Sequence, residues 1–407
     1  MEYMDIFTPS NILLPKNTSM EKWSVVACDQ YSSEHDYWEK VCDFVADAPS
    51  TFNMIIPEAF LEDFDEETEI KHVCANMADY LNSDLLETVS DSFVFVERTQ
   101  ADGRIRRGIV GAIDLEAYDF SCHEVPIRAS EGTVLERLPP RIAVRRIAVL
   151  ELPHIMTLID DPDDTVIGAL FQKREELPLL YDFELMQGGG HIRGMKVTGN
   201  DTNNVIAALN ALGRGNDMLM AIGDGNHSLA AAKVYWDEIK QNLSDTQREK
   251  HPARRALVEL NNVYDEAIDF EPIHRVLFNV DSEGLVKALQ KKMPGGCDSD
   301  YAIEWISGDK HGTISIGAHC IGSMIDTVQN FLDEYTEGTQ TRIDYIHGDA
   351  ALKKLASQEN SLGIMFPPMK KSDFFLTVKE RGVFPRKSFS IGHAWDKRYY
   401  LECREIV

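Results

Sequence analysis

An α+β fold is what this chain predicts, on three observations. Apolar runs at helical and at strand spacing are mixed without a strict βαβ repeat, no internal repeat is visible, and 43% of the 407 residues are hydrophobic, enough for more than one core. The expected division is an N-terminal α/β portion over 1–125, a central core over 126–280 and a C-terminal α/β domain over 281–407. The last boundary is marked by turn residues at GCDSD (296–300) and SGDKHG (307–312).

In chain order, EHDYWEKVCDFVA (34–46) and EETEIKHVCANMADYL (66–81) place apolar residues three and four apart and predict two helices. SFVFVER (92–98) and RIRRGIVGAID (104–114), split by Thr-Gln-Ala-Asp-Gly, read as a hairpin. Strands follow at 147–152, 154–159, 179–186 and 191–197, and helices at 165–177 and 202–212. DMLMAIGDGNHSLAAAKVYWDEI (217–239) then runs from an apolar strand through a glycine turn into an Ala-rich helix that buries Leu229, Ala232, Val234, Trp236 and Ile239. LSDTQREKHPARR is a polar connection into a buried strand at 255–263, followed by EPIHRVLF (271–278). Beyond it, helices are expected at 282–292, 322–335 and 349–357, strands at 301–306 and 312–318, and an alternating C-terminal run joins a sheet.

Charge and cysteine usage restrict function. A formal charge of −26 repels polyanions, so extended nucleic acid and acidic membrane surfaces are excluded as partners. Seven scattered cysteines with no C-x-x-C pair fit neither a disulfide framework nor a zinc knuckle and point to a reducing cytoplasm. The opening MEYMDIFTPSNILLP is broken by Glu2, Asp5 and two prolines and reads as neither leader nor span. A small anion is still admissible: residues 98–146 hold nine arginines against seven acids, a local +2 that also fits a solvated strand surface with charge pairs.

The most informative stretch is the turn itself. Helix starts carry unpaired N–H groups and a partial positive charge, and Gly223 and Gly225 allow a close backbone approach, so the turn suits a phosphate or carboxylate. Asp224, Asn226, His227 and Ser228 add four polar side chains, although Asp224 and Asn226 also read as plain turn residues and Asn226 or Ser228 as a helix cap. Asp29, ending the apolar run of VVACDQY, is a candidate general base or metal ligand and equally a cap, while Cys28 reads as a packed thiol.

Other clusters have two readings each. Asp160, Asp161, Asp163 and Asp164 around Pro162 suit magnesium or an exposed turn, and GGGHIRG (188–194) suits an anion nest or a hairpin loop. His274 with Arg275, and Lys387 with Ser388, are weaker candidates for contacting phosphate.

Seven segments together, VACDQY (26–31), RASEGT (128–133), PHIMTLIDDP (153–162), IGDGNHSLAAAK (222–233), PIHRVLF (272–278), IDYIHG (343–348) and FPRKSFS (384–390), resemble the DUF1015 family, grouped with ParB, sulfiredoxin and free-serine-kinase proteins. The resemblance implies a ParB/sulfiredoxin-like mixed α/β core in 126–280, flanked by the N- and C-terminal α/β portions, with a loop similar to D-G-H-H-R facing a nucleotide phosphate. Here Asn226 stands for the first His and Ser228 for the Arg, so the guanidinium is lost; an arginine between 128 and 146, Arg128 or Arg141, is expected to replace it. Sulfiredoxin-like chemistry needs a loop cysteine and none lies between Gly223 and Ser228, while ParB-like DNA clamping needs a basic protein.

What the resemblance implies is a cytoplasmic phosphotransferase that uses a nucleoside di- or triphosphate and Mg2+ on a small hydroxyl-bearing metabolite. Gly223, Asp224, Gly225, Asn226, His227 and Ser228, with Arg128 and Arg141, bind the nucleotide; Asp224 also holds the metal. Asp29 is the base, His227 serves phosphate or acid–base chemistry, and Glu131 joins the pocket through the RASEGT match. The alternative is a non-catalytic nucleotide- or metabolite-sensing regulator. Oligomeric state is open.

Overall fold

The computed structural model describes residues 6–61, 63–121, 124–293 and 301–407, so the expected turn at 296–300 lies outside the described residues. The chain forms two compact units, Met1–Ile268 with His393–Val407, and Asp269–Gly392. This corrects the three-part division. The boundary at 125 fails because residues on both sides of it are strands of one sheet, and the boundary at 280 moves upstream because the strand containing PIHRVLF pairs entirely within the second unit.

The first unit is built on an eleven-stranded mixed sheet. In chain order its strands are β1 (Phe7–Thr8), β2 (Ser10–Pro15), β3 (Leu86–Thr99), β4 (Ile105–Asp114), β5 (Tyr118–Asp119), β6 (Ile127–Arg128), β7 (Met156–Ile159), β8 (Leu179–Glu184), β9 (His191–Val197), β10 (Met220–Asp224) and β11 (Arg255–Asn262). They lie in the order β8-β9-β3-β4-β11-β7-β10-β6-β5, with β1 on β4 and β2 on β3. The expected hairpin is β3-β4, closed by a turn in which Gln100 N–H donates to Arg104 O and Gly103 takes φ +86°. Most pairs are antiparallel, but β11-β7, β10-β6 and β6-β5 are parallel, so the sheet is mixed.

Both faces of the sheet are covered. Along β3 successive side chains point to opposite sides, so Val94 and Val96 enter one core while Phe93 and Phe95 enter the other. That is why SFVFVER reads as a nearly continuous apolar run. The first core also contains Trp38 and Val41 of α1 (His35–Val45) and Ile70, Val73 and Met77 of α2 (Glu66–Asn82). A helix not anticipated from the sequence, α3 (Leu138–Ile147), begins with Pro139 and Pro140 in its first turn, where the missing N–H groups cost nothing. On the other side lie α4 (Asn200–Gly213) and α5 (Asn226–Ile239), and Leu138 and Ile142 of α3 pack on Ala230 and Ala231 of α5. Alanines at that crossing let the two helices approach closely, and each fully buried aliphatic side chain contributes about 1.5–3 kcal/mol.

In the second unit β12 (Phe270–Phe278), β13 (Tyr301–Ser307), β14 (Lys310–Ile316), β15 (Arg342–His347), β16 (Ser361–Met365) and β17 (Phe389–Ile391) form a six-stranded sheet, ordered β14-β13-β16-β12-β15 with β17 on β12. Its helices are α6 (Ser282–Lys292), α7 (Ile321–Thr336), α8 (Asp349–Ala356) and α9 (Lys371–Arg381). Among the described residues no helix is long and apolar enough to cross a membrane.

Candidate functional site

Strand β10 ends at Asp224 and α5 starts at Asn226, so a single residue, Gly225, makes the turn. Its backbone is left-handed (φ +80°, ψ 24°), and a Cβ there would lie 3.0 Å from the Ile155 backbone. Only glycine meets both demands without strain. Gly223 falls in the register shift between β10 and β7. The Asp224 carboxylate accepts the Gly225 N–H at 2.9 Å and lies 3.2 Å from Lys397 Nζ. The amides of Asn226, His227 and Ser228 open a fourteen-residue helix, whose first N–H groups have no acceptor of the helix's own.

Two of the four turn side chains hold the 130–134 segment, which begins inside RASEGT. Asn226, buried, accepts the Ser130 N–H at 3.2 Å and donates to Ser130 Oγ at 3.3 Å. His227 Nε2 accepts the Val134 N–H at 3.2 Å, which leaves Nδ1 to carry the ring proton of the neutral form. The third, Ser228, has Oγ 3.5 Å from His154 Nε2. On its other side His154 Nδ1 is 3.0 Å from the Tyr400 hydroxyl, which in turn lies 3.1 Å from Cys28 Sγ.

Asp29 belongs to the same cluster. Burial works to raise its carboxyl, but the neighbouring His154, the Gln30 amide donating at 3.0 Å, Lys397 and Arg141 outweigh it and hold the pKa below the usual carboxylate range. Cys28 goes the other way: burial, then the adjacent Asp29 charge, push its thiol up to about 12. A neutral thiol is a packing group rather than a nucleophile.

Ser228, His154, Tyr400 and Cys28 sit on the wall of a cavity of about 220 Å³. Arg141 lines it too, bonded to Glu58 at 2.5 Å. The structure thus brings Asp29, Asp224, Ser228 and Arg141 into one neighbourhood linked through Lys397 and His154. Arg128 is elsewhere: it is buried, with Nη2 donating to Asp217 at 2.8 Å and Nε to the Val125 carbonyl. Glu131 is half-buried in the segment that Asn226 and His227 hold. Among the described residues no group of three or more His, Cys, Asp or Glu is placed to hold a metal ion by itself.

The remaining candidates act as structure. In the 160–164 run, Asp161 accepts from Thr165 Oγ and Val166 N–H, Asp164 binds Arg107 and Asp160 binds the Tyr264 hydroxyl, so these three carboxylates have separate partners. GGGHIRG turns the β8-β9 hairpin, and the buried Arg98 donates twice to the Gly189 carbonyl. In the second unit Arg275 Nη1 donates to the Lys387 carbonyl, and Ser388 Oγ donates to Pro385 O.

His154, Lys397 and Tyr400 were not singled out by the sequence. His154 stands inside PHIMTLIDDP, one of the resembling segments, and that was its only signal. The two C-terminal residues carry none, because nothing local marks a return of the chain from more than 170 residues away.

A family pattern matches residues 9–387. The chain belongs to the DUF1015 family, described as proteins of unknown function. No curated protein matches it. Among solved structures, a free serine kinase in complex with AMP aligns over 71% of this chain and 90% of its own, at 13% identity and a TM-score of 0.38. SbnI with a C-terminal truncation, from Staphylococcus aureus, covers 70% of this chain and 82% of its own at 11% identity and a TM-score of 0.36. A conserved hypothetical protein from Pyrococcus furiosus covers 71% and 90% at 14% identity, with a TM-score of 0.33. The fold of this DUF1015 chain therefore rests on its own strand pairings.

Proposed function

We propose that this DUF1015 chain binds the phosphates of a nucleoside di- or triphosphate at the 223–228 turn and transfers a phosphoryl group to the hydroxyl of a small metabolite. The observation that carries this reading is a left-handed glycine at the head of a long helix whose Ser228 lines a cavity and touches His154. The donor set fits a nucleotide: main-chain amides of Asn226, His227 and Ser228 for phosphate oxygens, with Lys397 and Arg141 as nearby cations. A ParB/sulfiredoxin-like core is part of the same proposal.

The nucleotide supplies the phosphoryl group, which leaves as its bond to the bridging oxygen breaks. His154 takes the proton released from the acceptor hydroxyl as that oxygen bonds to phosphorus. Asp29 stays ionised and stabilises the protonated imidazole; a carboxylate with a depressed pKa is a weak base but a good counter-charge. Asn226 and His227 position the helix head by fixing the 130–134 segment against it. A magnesium ion arriving with phosphates needs only one or two carboxylates, and Asp224 is the one at the turn that would hold it.

Incubating the protein with ATP, magnesium and a pool of hydroxyl-bearing metabolites tests this. Accumulation of a phosphorylated product supports the enzyme; nucleotide binding without product leaves a nucleotide-sensing protein.

A further inference from the structure

We infer that the cavity beside the turn is a binding site for a small alcohol with an apolar body, an aromatic ring or a branched chain of about nine non-hydrogen atoms. The inference deepens the phosphotransferase reading by naming the class of its acceptor, but its basis is the cavity. The volume is about 220 Å³. An apolar cavity of about 150 Å³ holds benzene, so by proportion this one holds a ring with a two- or three-atom substituent.

The wall is of two kinds. Ile70, Val73 and Met77 form one stripe of α2, and Val144, Leu150 and Ile155 face the cavity from other elements, so its body is apolar. Ser228, His154, Tyr400 and Cys28 form a polar end with a hydroxyl, an imidazole, a phenol and a thiol.

Both arginines in the wall already hold carboxylates, and the remaining acid, Glu66, is exposed. Arg141 binds Glu58 at 2.5 Å and Arg145 binds Glu151 at 2.7 Å. Among the described wall residues, only the Arg145 Nε is a buried side-chain donor without an acceptor. A free amino acid would bring an ammonium and a carboxylate into this space with too few partners to offset their desolvation. A neutral alcohol brings one hydroxyl, which the Ser228–His154 end accommodates beside the helix head. Serine-like polar acceptors are thereby excluded from the cavity, and apolar-bodied alcohols are favoured.

Saturation-transfer NMR with 2-phenylethanol, ethylbenzene, glycerol and serine as probes tests the assignment. The expected result is signal from 2-phenylethanol, a weaker response from ethylbenzene and none from glycerol or serine. Val73→Phe, which fills the apolar body, is expected to lose the 2-phenylethanol signal while ATP still raises its melting temperature. Should that variant fail to fold, competition on the unaltered protein decides: displacement of 2-phenylethanol by 4-methyl-1-pentanol supports the site. Displacement by serine, or no signal from any apolar alcohol, overturns it. Alcohol binding by a protein that responds to no nucleotide sinks the phosphotransferase reading and leaves the cavity assignment standing.

Discussion

Ser228 Oγ and His154 Nε2 lie 3.5 Å apart, joining the head of α5 to the segment that leads into β7. The contact places a group able to take a proton beside the amides proposed to hold phosphate. His154→Gln keeps a polar side chain of similar reach but cannot act as a base at neutral pH. We expect it to slow phosphoryl transfer by about 10²–10⁴-fold while the nucleotide-induced rise in melting temperature is retained. Steady-state rates and thermal melts on the same preparation check both halves.

Gly225 adopts φ +80° with the Ile155 backbone 3.0 Å from where a Cβ would stand. Gly225→Ala therefore combines a disfavoured backbone with a close contact and should destabilise the protein by about 1–3 kcal/mol in urea unfolding. Because the shift displaces the first amides of α5, stabilisation by nucleotide should disappear as well. A variant of full stability that still responds to ATP contradicts the turn geometry.

The Asp29 carboxyl has a folded pKa below its ordinary value, the net result of burial opposed by His154, Gln30, Lys397 and Arg141. The sign follows from linkage: stability from this group is fully present above the unfolded carboxylate pKa, near 4, and is lost as pH falls through the depressed folded value. Asp29→Asn should be about 1–2 kcal/mol less stable than the unaltered protein at pH 7. Urea midpoints of the two proteins should converge below pH 4.

Asn226 and His227 each accept a main-chain N–H, from Ser130 and Val134. Removing either acceptor strands a donor, so Asn226→Ala should cost about 1–3 kcal/mol, the more so because Asn226 is buried. His227→Ala should cost about 1 kcal/mol even without ligand. A His227→Ala protein with unchanged stability in the absence of ligand is inconsistent with a role in fastening the 130–134 segment.

Burial holds the Cys28 thiol near 12, whereas Cys42 is exposed. Alkylation with iodoacetamide at pH 8, read by peptide mass spectrometry, should modify Cys42 early and leave Cys28 intact until the protein unfolds.

The site was partly legible in the sequence for local reasons. An apolar strand, one glycine-centred turn and an Ala-rich helix are contiguous, so 217–239 declared its own geometry. Arg141, anticipated as a replacement for the missing guanidinium, lies beside Asp29 and Glu58, whereas Arg128 is committed to Asp217. Helix α3 is hard to see in sequence because two adjacent prolines are compatible with a helix only in its first turn, which is where Pro139 and Pro140 lie. The two-unit division was hidden because it depends on long-range pairing: residues from both sides of position 125 share a sheet, and the C-terminal strand Tyr399–Tyr400 pairs with Val25–Val26. Such contacts leave no periodic trace in a local window.

The most direct test of the account is the unfolding free energy of the protein titrated with ATP, ADP and CTP in the presence of magnesium. A nucleotide at about 100 times its dissociation constant should add about 2.7 kcal/mol to the unaltered protein and nothing to Gly225→Ala. Flat curves for the unaltered protein across all three nucleotides would contradict phosphate binding at the Gly225 turn.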